Sequence, residues 1–313
     1  MAFNQILWTA DLAATLYETS DWYKIGKDWS AYVTGVTVNL PQGGSATVPV
    51  LEGALVPFTA GAATFGTKTF NNTGIFAPAR TVGVANDDEA SFDTRTAVME
   101  QITSELKQSV SQQVAFGWAP LHTSTGSIVR STGVATRLNQ YGNTVKKITF
   151  SDLLQAKAKM LKNTIGANQN DLYIIVDPFQ YIDLVDMGSA FVGVTSLTQT
   201  STVDGFVGTI AGLKVIQRSL GIPYTAAMAA KAAVDYAIAY DATHLSAALI
   251  VEGSKVGVAL GTPTNGQIAL QIIENAANVF KPIMQAYTRI GATTLYDVVS
   301  SKTPGVMAIV EAV

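Results

Sequence analysis

The sequence predicts a mixed α+β fold in which one long helix separates an extended, β-forming first third from a compact α/β block. Three observations carry that expectation. The opening third is rich in Gly and Thr and alternates apolar with polar residues in short runs. Residues 91–116 place apolar side chains at helical spacing for far longer than any other stretch. From residue 150 onward, capped helices alternate with apolar runs before a β-forming return at 279–299.

At 4–23, Ile6, Leu7, Leu12, Leu16 and Tyr17 take helical spacing, and Thr9 or Asp11 can cap a short helix. Trp8, Trp22, Tyr23, Trp29 and Tyr32 crowd the same region. Aromatic residues so placed either pack on their own domain or anchor an arm on a neighbouring molecule, and the sequence leaves both open. Val36, Val38 and Leu40 then alternate with Thr37 and Asn39, residues 41–45 supply turn chemistry, and Ala46, Val48 and Val50 resume the alternation. A hairpin or a long extended excursion follows from that pattern. To residue 79 the chain is poor in charge, and Pro49, Pro57 and Pro78 confine it to edge strands and loops. So long an irregular stretch is uncommon inside a compact domain, which points to a projecting β-loop.

An acidic turn at 86–89 leads to Ser91 or Asp93 as helix caps, after which Val98, Ile102, Leu106, Val110 and Val114 recur every four residues. Glu100, Gln101, Glu105, Lys107 and Gln112 fall elsewhere on this helix, so a slanted apolar stripe on an exposed strut of about 24 residues and about 36 Å is expected. Residues 121–147 read as a linker with short strands. Ser151 then caps a helix with Leu154, Ala158 and Leu161 on one face, flanked by Leu153 and Met160, and Gly166 ends it. Lys157, Lys159 and Lys162 are left to meet solvent. The unbroken apolar run at 172–176 reads as a strand buried on both faces. Asp177 and Pro178 serve as N-cap and first residue of a helix through Met187, with Gly188 as stop. Further strands are expected at 213–217, 234–240 and 247–251, with small-residue loops at 188–208 and 221–231.

Composition narrows the function classes. The 313 residues are 14% charged and 48% hydrophobic, so less of the surface than usual can be covered by charge, and large contact surfaces explain the deficit. The longest apolar stretch, 224–240, is interrupted by Lys231 and Asp235 and falls short of a spanning run of roughly 20 residues. Residues 1–17 lack a basic region ahead of an apolar one and contain Asp11, so no signal peptide is expected and the product stays where it is made. The absence of cysteine removes disulfides, thiolate nucleophiles, iron–sulfur clusters and thiolate zinc sites. A net charge of −3 with scattered Lys and Arg argues against tight nucleic-acid binding but suits a protein that encloses nucleic acid without gripping it.

Candidate chemistry is sparse, and no catalytic, cofactor-binding or metal residues are expected. His122 and His244 lie far apart with no second histidine at ligand spacing, and read as surface or interface residues. No G-x-S-x-G occurs. Asp87, Asp88 and Glu89 sit where carboxylates complement a helix dipole. Gly253, Gly257, Gly261 and Gly266 match neither phosphate-loop pattern and read as turns between strands. Asn71-Asn72-Thr73 fits a glycosylation acceptor but lacks a secretory context. Lys68 with Asn71 and Asn72 raises an inter-subunit isopeptide bond, with a solvated lysine as the ordinary reading.

The order of these parts resembles the major capsid proteins of tailed bacteriophages, the Hong Kong 97-type fold that encapsulin shells share. The segment Asp171-Leu-Tyr-Ile-Ile-Val-Asp-Pro-Phe-Gln-Tyr181 looks like that family's axial-domain strand running into a helix. Ile210-Ala-Gly-Leu-Lys-Val-Ile216 followed by Gly221-Ile-Pro223 resembles its later strand toward the symmetry axis. The resemblance implies an N-terminal arm (1–38), an extended loop (39–84), a spine helix with the first part of a peripheral domain (85–149), an axial domain (150–261) and a peripheral return strand with the C-terminus (262–313). It implies a non-enzymatic subunit without cofactors that associates with itself as pentamers and hexamers in an icosahedral head. The partners it implies are portal, scaffold or decoration proteins and packaged double-stranded DNA bound without sequence specificity, with no membrane. The location implied is the virion, after assembly in the host bacterial cytoplasm. No long charged scaffolding segment precedes the arm, so a mature form or a separate scaffold is implied. An encapsulin-like compartment is the alternative in the same fold, and a soluble α/β enzyme the alternative outside it.

Overall fold

A computed structural model describes residues 22–43, 65–77, 80–81, 94–120, 125–164, 167–187, 191–193, 206–225, 244–260, 269–273, 283–295 and 305–313. The expected helix at 4–23 lies almost wholly outside them, as do Trp8, the caps Ser91 and Asp93, residues 46–50, the three loop prolines, Asp87 to Glu89, Gly166, Gly188 and the strand expected at 234–240.

The long helix, α1, spans Thr94–Trp118. Its expected stripe is there: Ile102, Leu106, Val110 and Val114 are all buried. The strut expectation holds only before Val110, where Glu100, Gln101, Ser104 and Gln108 are exposed. Further on, Gln112, Gln113, Ala115, Phe116 and Trp118 are buried too. The last turns run into the body of the protein, against the strand Ile283–Thr294, which accounts for the enclosure. Gly117 permits this approach, since a Cβ there would stand 2.5 Å from the Ala292 carbonyl oxygen.

Ile283–Thr294 is the long strand expected of the return, and it organises a six-stranded sheet. It pairs antiparallel with Val256–Leu260, Ala269–Ile273, Thr73–Phe76 and Arg80–Thr81, while Lys27–Asp28 lies parallel to Val256–Leu260. A separate three-stranded sheet joins Val33–Thr34, Thr37–Gly43 and Phe65–Asn71. Here the first part of the turn expected at 41–45 is corrected: the strand continues through Pro41 and pairs Gly43 with Phe65, while residues 44–45 lie outside the described residues. Pro41 is tolerated because Val33–Thr34 covers only Thr37 and Val38, leaving Pro41, among the described residues, with a strand neighbour on one side.

The eight-stranded sheet runs in the order Phe191–Gly193, Phe206–Ile210, Leu213–Gln217, Leu172–Val176, His244–Glu252, Val306–Val310, Ile128–Arg130, with Ile222–Thr225 also paired to His244–Glu252. The short strands expected at 121–147 are there: Thr136–Leu138 and Thr144–Lys146 form a hairpin, and Ile128–Arg130 joins the large sheet parallel to Val306–Val310. Two loop readings are corrected. Phe191–Gly193 lies within the loop expected at 188–208 and Phe206–Ile210 begins in it, while Ile222–Thr225 lies within that at 221–231. Short strands finished by pairing with distant segments leave little periodicity of their own. Ala211 and Gly212, both at positive φ, close the tight hairpin between Phe206–Ile210 and Leu213–Gln217.

Helix α2 spans Phe150–Asn163 and α3 spans Pro178–Asp186. Asp177 caps α3 as expected, in a capping box with Gln180. For α2 the cap is Thr149, not Ser151, in a box with Asp152. The Asp152 carboxylate is buried and also accepts from the Thr132 backbone N–H and hydroxyl. The buried face follows this cap: Leu153, Ala156 and Met160 point inward, whereas Leu154 and Ala158 are exposed. Lys159 and Lys162 meet solvent as expected, but Lys157 turns back to donate to the Ala211 carbonyl at 2.7 Å.

The eight-stranded sheet is covered on both faces. Ile175, Ile216, Leu249 and Val251 pack with α1, while Ile174, Val176, Ile250 and Ile309 pack with Leu153 and Met160 of α2 and Leu184 of α3. Burial on two sides removes alternation, which is why residues 172–176 read as an unbroken apolar run.

Candidate assembly surfaces

Among the described residues no group of three or more His, Cys, Asp or Glu could hold a metal ion, and no helix is long and apolar enough to cross a membrane. The polar side chains that the fold gathers are joined to one another in its interior. Arg137, from the hairpin strand Thr136–Leu138, donates from Nε to Asp183 Oδ1 of α3 at 2.9 Å and from Nη2 to Glu311 Oε1 at 2.7 Å. Asn139 Nδ2 and the Ser246 backbone N–H donate to Glu311 Oε2, and the Ile148 N–H donates to Asp183 Oδ2. Ser246 Oγ donates in turn to Asp177. The Glu311 carboxyl is pushed above the usual carboxylate range by burial, with Asp177 adding to the rise and Arg137 opposing it. Hairpin, α3, sheet and C-terminal residues are thus held by one buried set of charges.

A second buried cation ties the N-terminal residues to α1 and the sheet. Arg218 donates from Nη2 to Gln112 Oε1 at 2.9 Å and from Nε to Ser111 Oγ at 3.3 Å, and its guanidinium stands 5.0 Å from the Trp22 ring centre. Burial pulls Arg218 down to about 10. Trp22 meets Trp118 edge to face at 5.5 Å, and Trp118 Nε1 donates to the Gly257 carbonyl. Of the aromatic residues at the start of the chain, Trp22, Tyr23 and Trp29 therefore pack on their own chain, while Tyr32 is exposed. Gly257 is not a turn but a mid-strand position, where a Cβ would collide with the Trp29 ring at 2.8 Å. Gly253 does lie in a turn, and Gly261 and Gly266 fall outside the described residues.

On the paired strands Thr37–Gly43 and Phe65–Asn71, Lys68 is half-buried rather than a freely solvated lysine. Its Nζ donates to the Thr294 carbonyl at 2.6 Å, and burial lowers it to about 8. Its ammonium is aimed at its own chain rather than outward, and Asn72, four residues on, is buried with its N–H on the Val36 carbonyl. His244 is half-buried next to the Tyr141 ring, and His122 lies outside the described residues.

The outward face of α3 differs from everything above. Phe179, Ile182 and Val185 are exposed along it, and Phe150 and Leu154 are exposed on α2. Sequence reasoning missed this face because Leu154 was placed inward by the wrong cap. The 179, 182, 185 spacing was a signal that could have found it.

No family model matches the chain, and no curated protein does. Solved structures do match in fold. The capsid of Ralstonia phage GP4 superposes with a TM-score of 0.64 at 12% identity, over 92% of this chain and 87% of that one. The capsid structure of the cyanophage P-SCSP1u gives 0.59 at 14% identity, over 92% and 86%. The capsid of a native GTA particle gives 0.56 at 8% identity, over 94% and 90%. The chain therefore has the α+β fold of phage capsid subunits along nearly its whole length.

Proposed function

We propose that this chain is the major capsid protein of a tailed bacteriophage, a non-enzymatic subunit that associates with itself into an icosahedral head around double-stranded DNA. The observation that carries the reading is the match in fold to phage capsids over about nine-tenths of both chains. Supporting it, the described polar clusters are consumed by internal structure, so the chain's features of consequence are surfaces. A shell built from modest contacts among many copies suits a chain with little surface charge.

Within this reading, residues 1–38 act as arm, 39–84 as extended loop, 85–149 as spine helix and first peripheral part, 150–261 as axial domain, and 262–313 as peripheral return. Strand pairing favours three reassignments: Val256–Leu260 goes with the six-stranded, peripheral sheet, and Ile128–Arg130 and Val306–Val310 with the eight-stranded, axial one. Portal, scaffold or decoration proteins would be further partners, and the virion the site of action. Negative-stain microscopy of the expressed protein tests the proposal: uniform closed particles are expected, with nuclease-protected DNA inside those recovered from infected cells. A monodisperse monomer at high concentration would overturn it, and particles holding protein cargo without nucleic acid would make the shell an encapsulin-like compartment.

A further inference from the structure

We infer that the outward face of α3, extended by the start of α2 and the 136–146 hairpin, is a contact between neighbouring copies of this chain; the inference rests on the shell reading above. Phe179, Ile182 and Val185 recur at three-residue spacing on one side of α3, exposed by 39%, 52% and 46%, while Gln180, Asp183 and Leu184 fill the inward side. Two hydrogen bonds tie α3 to its surroundings: Asp183 accepts from Arg137 Nε and from the Ile148 N–H, which brings the chain at exposed Leu138, next to Arg137, and at exposed Phe150, two residues after Ile148, up to α3. Leu154 extends the patch one turn along α2.

Charge and area select the occupant. The outer face of α3 carries no charge before Asp186, which Lys147 Nζ meets at 2.6 Å, so two copies of a chain with net charge −3 can approach here without repulsion. Six half-exposed side chains at roughly 80 Å² each leave about 500 Å² of apolar surface, the size of the largest patch a soluble chain ordinarily carries and one that often serves a contact. That is below the ~800 Å² that each partner gives to a stable two-body complex. A contact too small to hold a pair, yet repeated around a closed ring of copies, fits a shell better than it fits a dedicated foreign partner.

The chain has no cysteine, so Ile182→Cys provides a single reporter at the centre of the patch. Its reaction with a maleimide should be at least ten-fold slower in purified particles than in dissociated subunits. Equal rates would overturn the inference, because the face would then be free in the shell or reserved for another protein. Ile182→Asp should cut particle yield ten-fold or more while leaving the subunit's circular dichroism and urea midpoint unchanged; a normal yield would also overturn it. Failure of the wild-type chain to form particles would instead remove the shell reading itself, and the two failures are thereby distinguished.

Discussion

Arg137→Ala is the perturbation whose consequence the structure defines most closely. The guanidinium stands between Asp183 and Glu311, whose side chains have no exposed surface, and is itself only 10% exposed. Its removal strands two carboxylates in the interior, a change that ordinarily costs about 3–5 kcal/mol against a total stability of roughly 5–15 kcal/mol. The cost has a pH signature. Burial holds the Glu311 carboxyl above its ordinary value of 4.5 in the folded chain, and Arg137 works against that rise. Without Arg137 the carboxyl rises further. A carboxyl with a raised folded pKa takes up a proton on folding, so stability falls as pH climbs from its unfolded value through its folded one, and returns as pH drops. The loss in Arg137→Ala should therefore be largest near pH 7 and clearly smaller near about pH 5. Urea unfolding of dissociated subunits, followed by tryptophan fluorescence at both pH values, measures it. A loss below about 1 kcal/mol at pH 7, or one that does not shrink on acidification, would refute the reasoning.

Three other changes follow from particular contacts. Gly117→Ala improves helix propensity by about 1 kcal/mol, yet should destabilise by about 1–3 kcal/mol because the new methyl meets the backbone of the strand it rests on; a net gain in denaturant midpoint would contradict that seating. Thr149→Ala should cost about 1 kcal/mol in urea, whereas Ser151→Ala should stay within about 0.5 kcal/mol, and the reverse order would mean the cap of α2 is misplaced. Lys68, held at about 8 by burial against 10.5 ordinarily, leaves the unfolded chain with more bound protons between those values, so its contribution to stability rises with pH across that window. Lys68→Met should abolish this rise, which urea midpoints measured on either side of the window would register.

Local chemistry made some of this fold legible and non-local pairing hid the rest. Asp177-Pro178 announced α3 because a cap and a first-turn proline act within four residues. The stripe from Ile102 to Val114 announced α1 for the same reason. Ser151 was mistaken for Thr149 because both residues can cap, and what decides is the buried Asp152, whose partner Thr132 lies about twenty residues upstream. Ile128–Arg130 and Phe191–Gly193 are strands only by virtue of their neighbours, and three residues carry no period. The Arg137–Glu311 pair spans 174 residues, more than half of the chain, so nothing near either residue signals it. The likeness in element order was readable because order survives where individual side chains drift.

The parallel pairing of Val306–Val310 with Ile128–Arg130 joins segments about 180 residues apart. A ribosome adding roughly 5–20 residues per second needs about 10–35 s to make that stretch. Throughout that interval Ile128–Arg130 has no strand to lie beside, and once His244–Glu252 has been made, the side of it that Val306–Val310 will occupy stays an open seam. Exposed hydrogen-bonding edges of that kind recruit other chains as readily as their own. Productive synthesis of this protein therefore depends on keeping emerging molecules apart until translation has delivered the closing segment, so dilution or chaperone supply, more than final stability, should govern the yield of competent subunits.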